Sequence, residues 1–208
     1  MKNFSEALRL CLVIGHLDCH PHSMLTIIKQ AIAGGVTSIQ LREKNLTEEK
    51  IAKQGSQLLK ILPHHIPLII NDHVAVAKFL KIPLHIGQAD TKYQYARKIM
   101  GKAAIIGLSI ENIRQANHFQ SCDADYFGVG PVFATSSKSD AAPAIGLENL
   151  RTIVSILSPK ACVAIGGVNQ HNAAPVYKTG VCGIAVISAI TQAENPYLAT
   201  QKLLINHE

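Results

Sequence analysis

The chain has 208 residues, 48% hydrophobic and 16% charged, which suits one domain with a sizeable core and excludes a disordered or collagen-like protein. Lysine and arginine exceed aspartate and glutamate by 20 to 14, a formal charge of +6, so the field of the protein attracts anions. Dispersed basic residues, 5% aromatics, no Trp and no helix-turn-helix signature argue against nucleic acid as that anion.

Along the chain, apolar β-branched runs of strand length recur at even intervals. They cover residues 8–15, 37–42, 67–72, 83–87, 104–109, 126–132, 161–167 and 183–188. Between them the apolar residues fall at helical spacing, as in Met24, Ile27, Ile28, Ala31 and Ile32, then Ile51, Leu58, Leu59 and Leu62. Several of these segments end at glycine, at Gly34-Gly35, Gly101 and Gly180, and a last helix is expected from Pro196 to Ile205. Continuous apolar strands alternating with helices imply a parallel sheet covered on its outer face. Eight such units in 208 residues predict an α/β protein, a single-domain (β/α)8 TIM barrel over 1–208. A doubly wound open sheet is the alternative.

Barrels of this kind carry their active sites at the C-terminal ends of the strands. Those ends hold Gln40, Arg42 and Lys44, then Asn71 and Asp72, then Gln88 and Asp90, then Ser109. Thr135, Ser136, Ser137 and Lys138 follow the sixth strand in a long polar loop, 134–143. Gly166-Gly167 and Ile187-Ser188 end the seventh and eighth. Asp72 and Asp90, on adjacent strands, can converge on one hard cation such as Mg²⁺. Arg42, Lys44, Lys138 and Asn71 bring positive charge and donors to the same place, as a pyrophosphate requires. The turns after strands seven and eight expose backbone amides, a phosphate seat. The expectation is two anionic substrates, one bound through metal.

Other motifs carry less. Gly128-Val129-Gly130 has Phe133 where a dinucleotide loop needs glycine, and no run matches a Walker loop. His16, Cys19, His20 and His22 crowd together after the first strand at a spacing that fits no structural zinc pattern, which favours a solvated loop. Five scattered cysteines (Cys11, Cys19, Cys122, Cys162, Cys182) suit free thiols in a reducing compartment. The apolar runs fall well short of the roughly 20 residues a membrane helix needs, and the first residues lack a secretory pattern. A cytoplasmic protein without a membrane partner is expected.

At the rim residues the sequence resembles the thiamine phosphate synthase family along nearly its whole length. The resemblance rests on Gln40-Leu41-Arg42-Glu43-Lys44, Ile70-Asn71-Asp72, His85-Ile86-Gly87-Gln88-Ala89-Asp90, Gly107-Leu108-Ser109, the run from Ala124 to Phe133, Thr135-Ser136-Ser137-Lys138, Ala164-Ile165-Gly166-Gly167-Val168 and Val186-Ile187-Ser188-Ala189-Ile190. The resemblance implies Mg²⁺ held by Asp72 and Asp90. It implies contacts to 4-amino-5-hydroxymethyl-2-methylpyrimidine diphosphate from Gln40, Leu41, Arg42, Glu43, Lys44, Asn71, Ser109 and Lys138, with Arg42, Ser109 and Lys138 catalytic. Contacts to 4-methyl-5-(2-hydroxyethyl)thiazole phosphate are implied for Thr135, Ser136, Ser137, Gly167, Ile187 and Ser188. The implied reaction joins the two, releases pyrophosphate and forms thiamine phosphate. Partners are these small molecules, with a homo-oligomer left open. Departures from the family pattern are Phe79-Leu80-Lys81-Ile82-Pro83 before the fourth strand, Ala89 in place of Glu, Ile110-Glu111 in place of Thr-His, and Gly15-His16 in place of Thr-Asp. The alternatives are a related thiazole tautomerase, disfavoured by the intact aspartates and basic segment, and a non-catalytic sensor of thiamine precursors.

Overall fold

The computed structural model describes residues 4–137 and 142–204. Eight strands, β1 (Leu10–Ile14), β2 (Ser38–Leu41), β3 (Leu68–Asn71), β4 (Leu84–Ile86), β5 (Ile106–Ile110), β6 (Tyr126–Val129), β7 (Ala161–Ile165) and β8 (Gly183–Val186), close into one barrel in sequence order. Every neighbouring pair is parallel, and β1 pairs with β8 through Cys11 opposite Ala185. The expected (β/α)8 barrel is therefore the fold.

The helices follow the apolar spacing. They are α1 (Met24–Gly34), α2 (Glu48–Ile61), α3 (Val74–Leu80), α4 (Tyr93–Met100), α5 (Ile113–Phe119), α6 (Gly146–Leu157), α7 (Ala173–Tyr177), α8 (Ser188–Thr191) and α9 (Pro196–Leu204). Ser23, Thr47 and Asn112 cap α1, α2 and α5 by accepting from the backbone N–H of Thr26, Lys50 and Gln115, which satisfies donors that a helix start leaves open. Among the described residues no helix is long and apolar enough to cross a membrane. All five cysteines are free thiols.

Strand pleating divides the core in two. Leu10, Leu12 and Ile14, Ile39 and Leu41, Leu68 and Ile70 face outward into the layer shared with the helices. Cys11, Val13, Ile69, Tyr126, Val163 and Ala185 fill the barrel interior. The 3-10 turn Phe4–Leu8 closes the N-terminal end, with Leu8 inside and the Phe4 ring 5.9 Å from that of Tyr126. Toward the opposite end the inward positions turn polar, at Gln40, Asn71, His85 and Ser109. Period-two alternation thus leads each strand from an apolar plug to a polar mouth.

Candidate active site

A cavity of about 450 Å³ opens at that mouth. Gln40, Arg42, Lys44, Asn71, Asp72, Asp90 and Ser109 line one part of its wall, and Thr135, Ser136, Ser137, Gly167, Ile187 and Ser188 line the other. Most of the rim residues picked from the sequence are thus brought together. Lys138 lies outside the described residues.

Two of the expected contacts have another place. Leu41 is 1% exposed and packs in the outer core, because it follows Gln40 on the strand and so points to the opposite face. Glu43 is likewise absent from the cavity wall. Its carboxylate accepts from the backbone N–H of His16 at 2.9 Å and meets His16 Nδ1 at 2.5 Å. Gln88 also turns aside, its amide donating to the carbonyl of Ser109.

The acidic pair sits where β3 and β4 end. Asp72 adopts φ 64°, the left-handed region, which is unusual for a residue with a Cβ and marks a position held by its surroundings. Lys44 Nζ lies 2.5 Å from Asp72 Oδ2, and Asp90 Oδ2 accepts from the backbone N–H of Gly87 at 2.9 Å. Burial, and then the neighbouring Asp72 carboxylate, push the Asp90 carboxyl above its ordinary range, against the opposing pull of Gly87 N–H and Lys44. Two carboxylates pressed together in this way fit a hard divalent cation. Among the described residues no group of three or more His, Cys, Asp or Glu forms a metal cage, so such a cation would complete its shell with water and substrate oxygens, as Mg²⁺ does.

His85 and Tyr126 are cavity residues that the motif reading passed over as parts of apolar strands. His85 Nε2 lies 3.0 Å from Ser109 Oγ, and Nδ1 lies 3.1 Å from the Tyr126 hydroxyl. Burial lowers the imidazole to about 4, so at neutral pH it carries one N–H and links the two hydroxyls as donor to one and acceptor to the other. The ring fits because its neighbours across the sheet are glycines. A Cβ on Gly107 would lie 2.6 Å from His85 Nδ1, and one on Gly128 would lie 2.9 Å from Cε1. A polar residue at an inward position opposite a glycine, as His85 is opposite Gly107, was the available signal.

Across the mouth, Gly166 and Gly167 take φ 95° and 67°. The Asn172 amide donates to the Gly167 carbonyl at 2.9 Å, fixing the turn. Ser137 Oγ stands 3.4 Å from Ser188 Oγ at the start of α8. Hydroxyls and main-chain groups, with few charged side chains, make up this part of the wall, a composition suited to a phosphate.

The closed barrel and this polar rim define a (β/α)8-barrel protein with a cavity at the C-terminal ends of its strands, where barrels of this kind carry their active sites. A family model described as thiamine monophosphate synthase matches residues 10–190. A thiamine-phosphate synthase of Psychrobacter sp. is 42% identical over 204 residues, covering 96% of this chain and 95% of that protein. One from Clostridium botulinum (strain Kyoto / Type A2) is 40% identical over 182 residues, 86% of this chain and 88% of its own. The solved thiamine phosphate pyrophosphorylase from Pyrococcus furiosus superposes with a TM-score of 0.87 at 34% identity, covering 98% and 97% of the two chains. The chain belongs to the thiamine monophosphate synthase family.

Proposed function

We propose that this chain, as one barrel domain over 1–208, is a Mg²⁺-dependent transferase that joins the pyrimidine diphosphate to the thiazole phosphate, giving thiamine phosphate and pyrophosphate. The observation that carries this reading is the single cavity in which an acidic pair beside Arg42 and Lys44 faces a glycine and serine wall. A diphosphate suits the first side and a monophosphate the second.

In this reading Asp72 and Asp90 hold the metal, which supplies positive charge to the leaving diphosphate when bound. Arg42 and Lys44 add fixed charge, while Gln40, Asn71 and Ser109 donate or accept around the pyrimidine and its diphosphate. The bond from the pyrimidine methylene carbon to oxygen breaks, and its electron pair leaves with pyrophosphate. The thiazole nitrogen lone pair then forms the new C–N bond. No proton has to move and no covalent enzyme intermediate is needed, so the chain contributes position and electrostatics. Thr135, Ser136, Ser137, Gly167, Ile187 and Ser188 hold the thiazole phosphate across the cavity with its nitrogen toward the methylene. His85, neutral at working pH, orients the Ser109 hydroxyl.

The test is incubation of the purified chain with both precursors and Mg²⁺. Stoichiometric thiamine phosphate and pyrophosphate are expected. Binding of both precursors without pyrophosphate release would instead identify a sensor. Lys138, which follows Ser137 in the sequence, is proposed to neutralise the departing diphosphate. Lys138→Ala is then expected to lower kcat by about 10²-fold, and an effect confined to the KM for thiazole phosphate would move it to the other subsite.

A further inference from the structure

We propose that His16 and Glu43 form a positioning latch that sets Arg42 and Lys44 for the diphosphate. The inference rests on the functional reading above and assigns to His16, in the loop after β1, a part in substrate binding without substrate contact.

Glu43 stands between two cavity residues, Arg42 and Lys44, yet its own side chain is 1% exposed and turned away from the cavity. Both carboxylate oxygens are engaged by one residue, Oε1 by the His16 backbone N–H at 2.9 Å and Oε2 by His16 Nδ1 at 2.5 Å. The Glu43 carbonyl is held from the other side, 3.3 Å from Nε2 of His73, the residue after Asp72. Arg42 N–H donates to the carbonyl of Ile14, and a Cβ on Gly15 would lie 2.2 Å from the Arg42 carbonyl oxygen. Asp18 Oδ2, accepting from Gly15 N–H at 2.8 Å, holds the β1 loop in register with this contact. The segment bearing Arg42 and Lys44 is therefore clamped between the loops that follow β1 and β3.

A buried carboxylate without a donor is costly. Removing the imidazole leaves Glu43 Oε2 without the His16 Nδ1 partner, and the segment shifts toward water to solvate it. Such a shift moves Arg42 and Lys44 together and leaves the wall formed by Gly167 and Ser188 in place.

The experiment is calorimetric titration of pyrophosphate with Mg²⁺, and separately of thiazole phosphate, into wild type, His16→Ala, His16→Gln and His16→Asn. Asparagine places an amide near the Nδ1 position, whereas glutamine keeps bulk but reaches toward Nε2. Alanine and glutamine are expected to weaken pyrophosphate binding roughly tenfold, with thiazole phosphate within about twofold of wild type and asparagine restoring pyrophosphate affinity to within about twofold. Equal weakening of both ligands, unchanged pyrophosphate binding in the alanine variant, or rescue by glutamine in place of asparagine overturns the latch. Amide hydrogen exchange read on residues 42–45 tests the same clamp without ligand, and should quicken in His16→Ala and recover in His16→Asn. Wild type that binds no pyrophosphate would defeat the functional reading, while the exchange result still decides the latch. Unchanged exchange in His16→Ala also overturns it.

Discussion

Asp90→Ala, and equally Asp72→Ala, is expected to cut Mg²⁺-dependent turnover on the order of 10²- to 10³-fold while the barrel stays folded. Each removes one of the carboxylates that face each other where β3 and β4 end, and neither contributes to the apolar core. Stability should move the other way. The Asp90 carboxyl is raised by burial and by Asp72, so in the metal-free protein the native state holds a proton more tightly than the unfolded chain does. Between the ordinary carboxylate value and the raised one, stability falls as pH rises. Asp90→Asn removes that loss, and its melting temperature without metal should exceed that of wild type at neutral pH, with the gap closing at acid pH. Added Mg²⁺ should stabilise wild type and not the variant. Wild-type turnover in either alanine variant at limiting Mg²⁺ would refute the metal assignment, and a lower metal-free melting temperature for Asp90→Asn would refute the electrostatic account.

Gly167→Val is expected to raise the KM for thiazole phosphate on the order of 10²-fold, with a much smaller effect on the pyrimidine diphosphate. From the sequence, a Cβ here would simply obstruct phosphate at the main chain. In the fold its nearest neighbours are protein atoms, the Ala134 carbonyl oxygen at 2.6 Å and Phe133 Cβ at 2.7 Å. Valine at φ 67° adds backbone strain of about 1–3 kcal/mol. The substitution therefore displaces both the turn after β7 and the segment leading to Thr135, Ser136 and Ser137, which together form that wall. Separate titrations of the two ligands into the folded variant check this, and equal loss of both would show that the subsites are not divided across the mouth.

Local sequence carries the parts of this fold that depend on local physics. Runs such as 161–167 read as strands because β-branched residues suit a pleated, doubly covered sheet, and Gly34-Gly35 marks a helix end because Gly35 closes α1 in the left-handed conformation that glycine adopts without strain. Alternation of strands with helices sets all strands parallel with their C-terminal ends along one edge, so Asp72, Asp90, Ser109 and Gly167 could be grouped from sequence alone, while closure rests on the pairing of β1 with β8. The inward or outward sense of each residue near the mouth could not be. A contiguous motif, Gln40 to Lys44, hides the alternation that sends Gln40, Arg42 and Lys44 to the cavity and Leu41 to the core. Glu43 turns to His16, a partner 27 positions away, for which no spacing in the chain is a signal. The same holds for His85, whose neutral state and hydroxyl partners come from burial among strands β4 to β6. Sequence periodicity determined the eight alternating strand and helix units and the edge that carries the rim, and the pairing of β1 with β8 closed them into a barrel. Only the tertiary structure decided which rim side chains face the substrate space and which hold the others in place, because pairing and desolvation are set by residues distant in the chain.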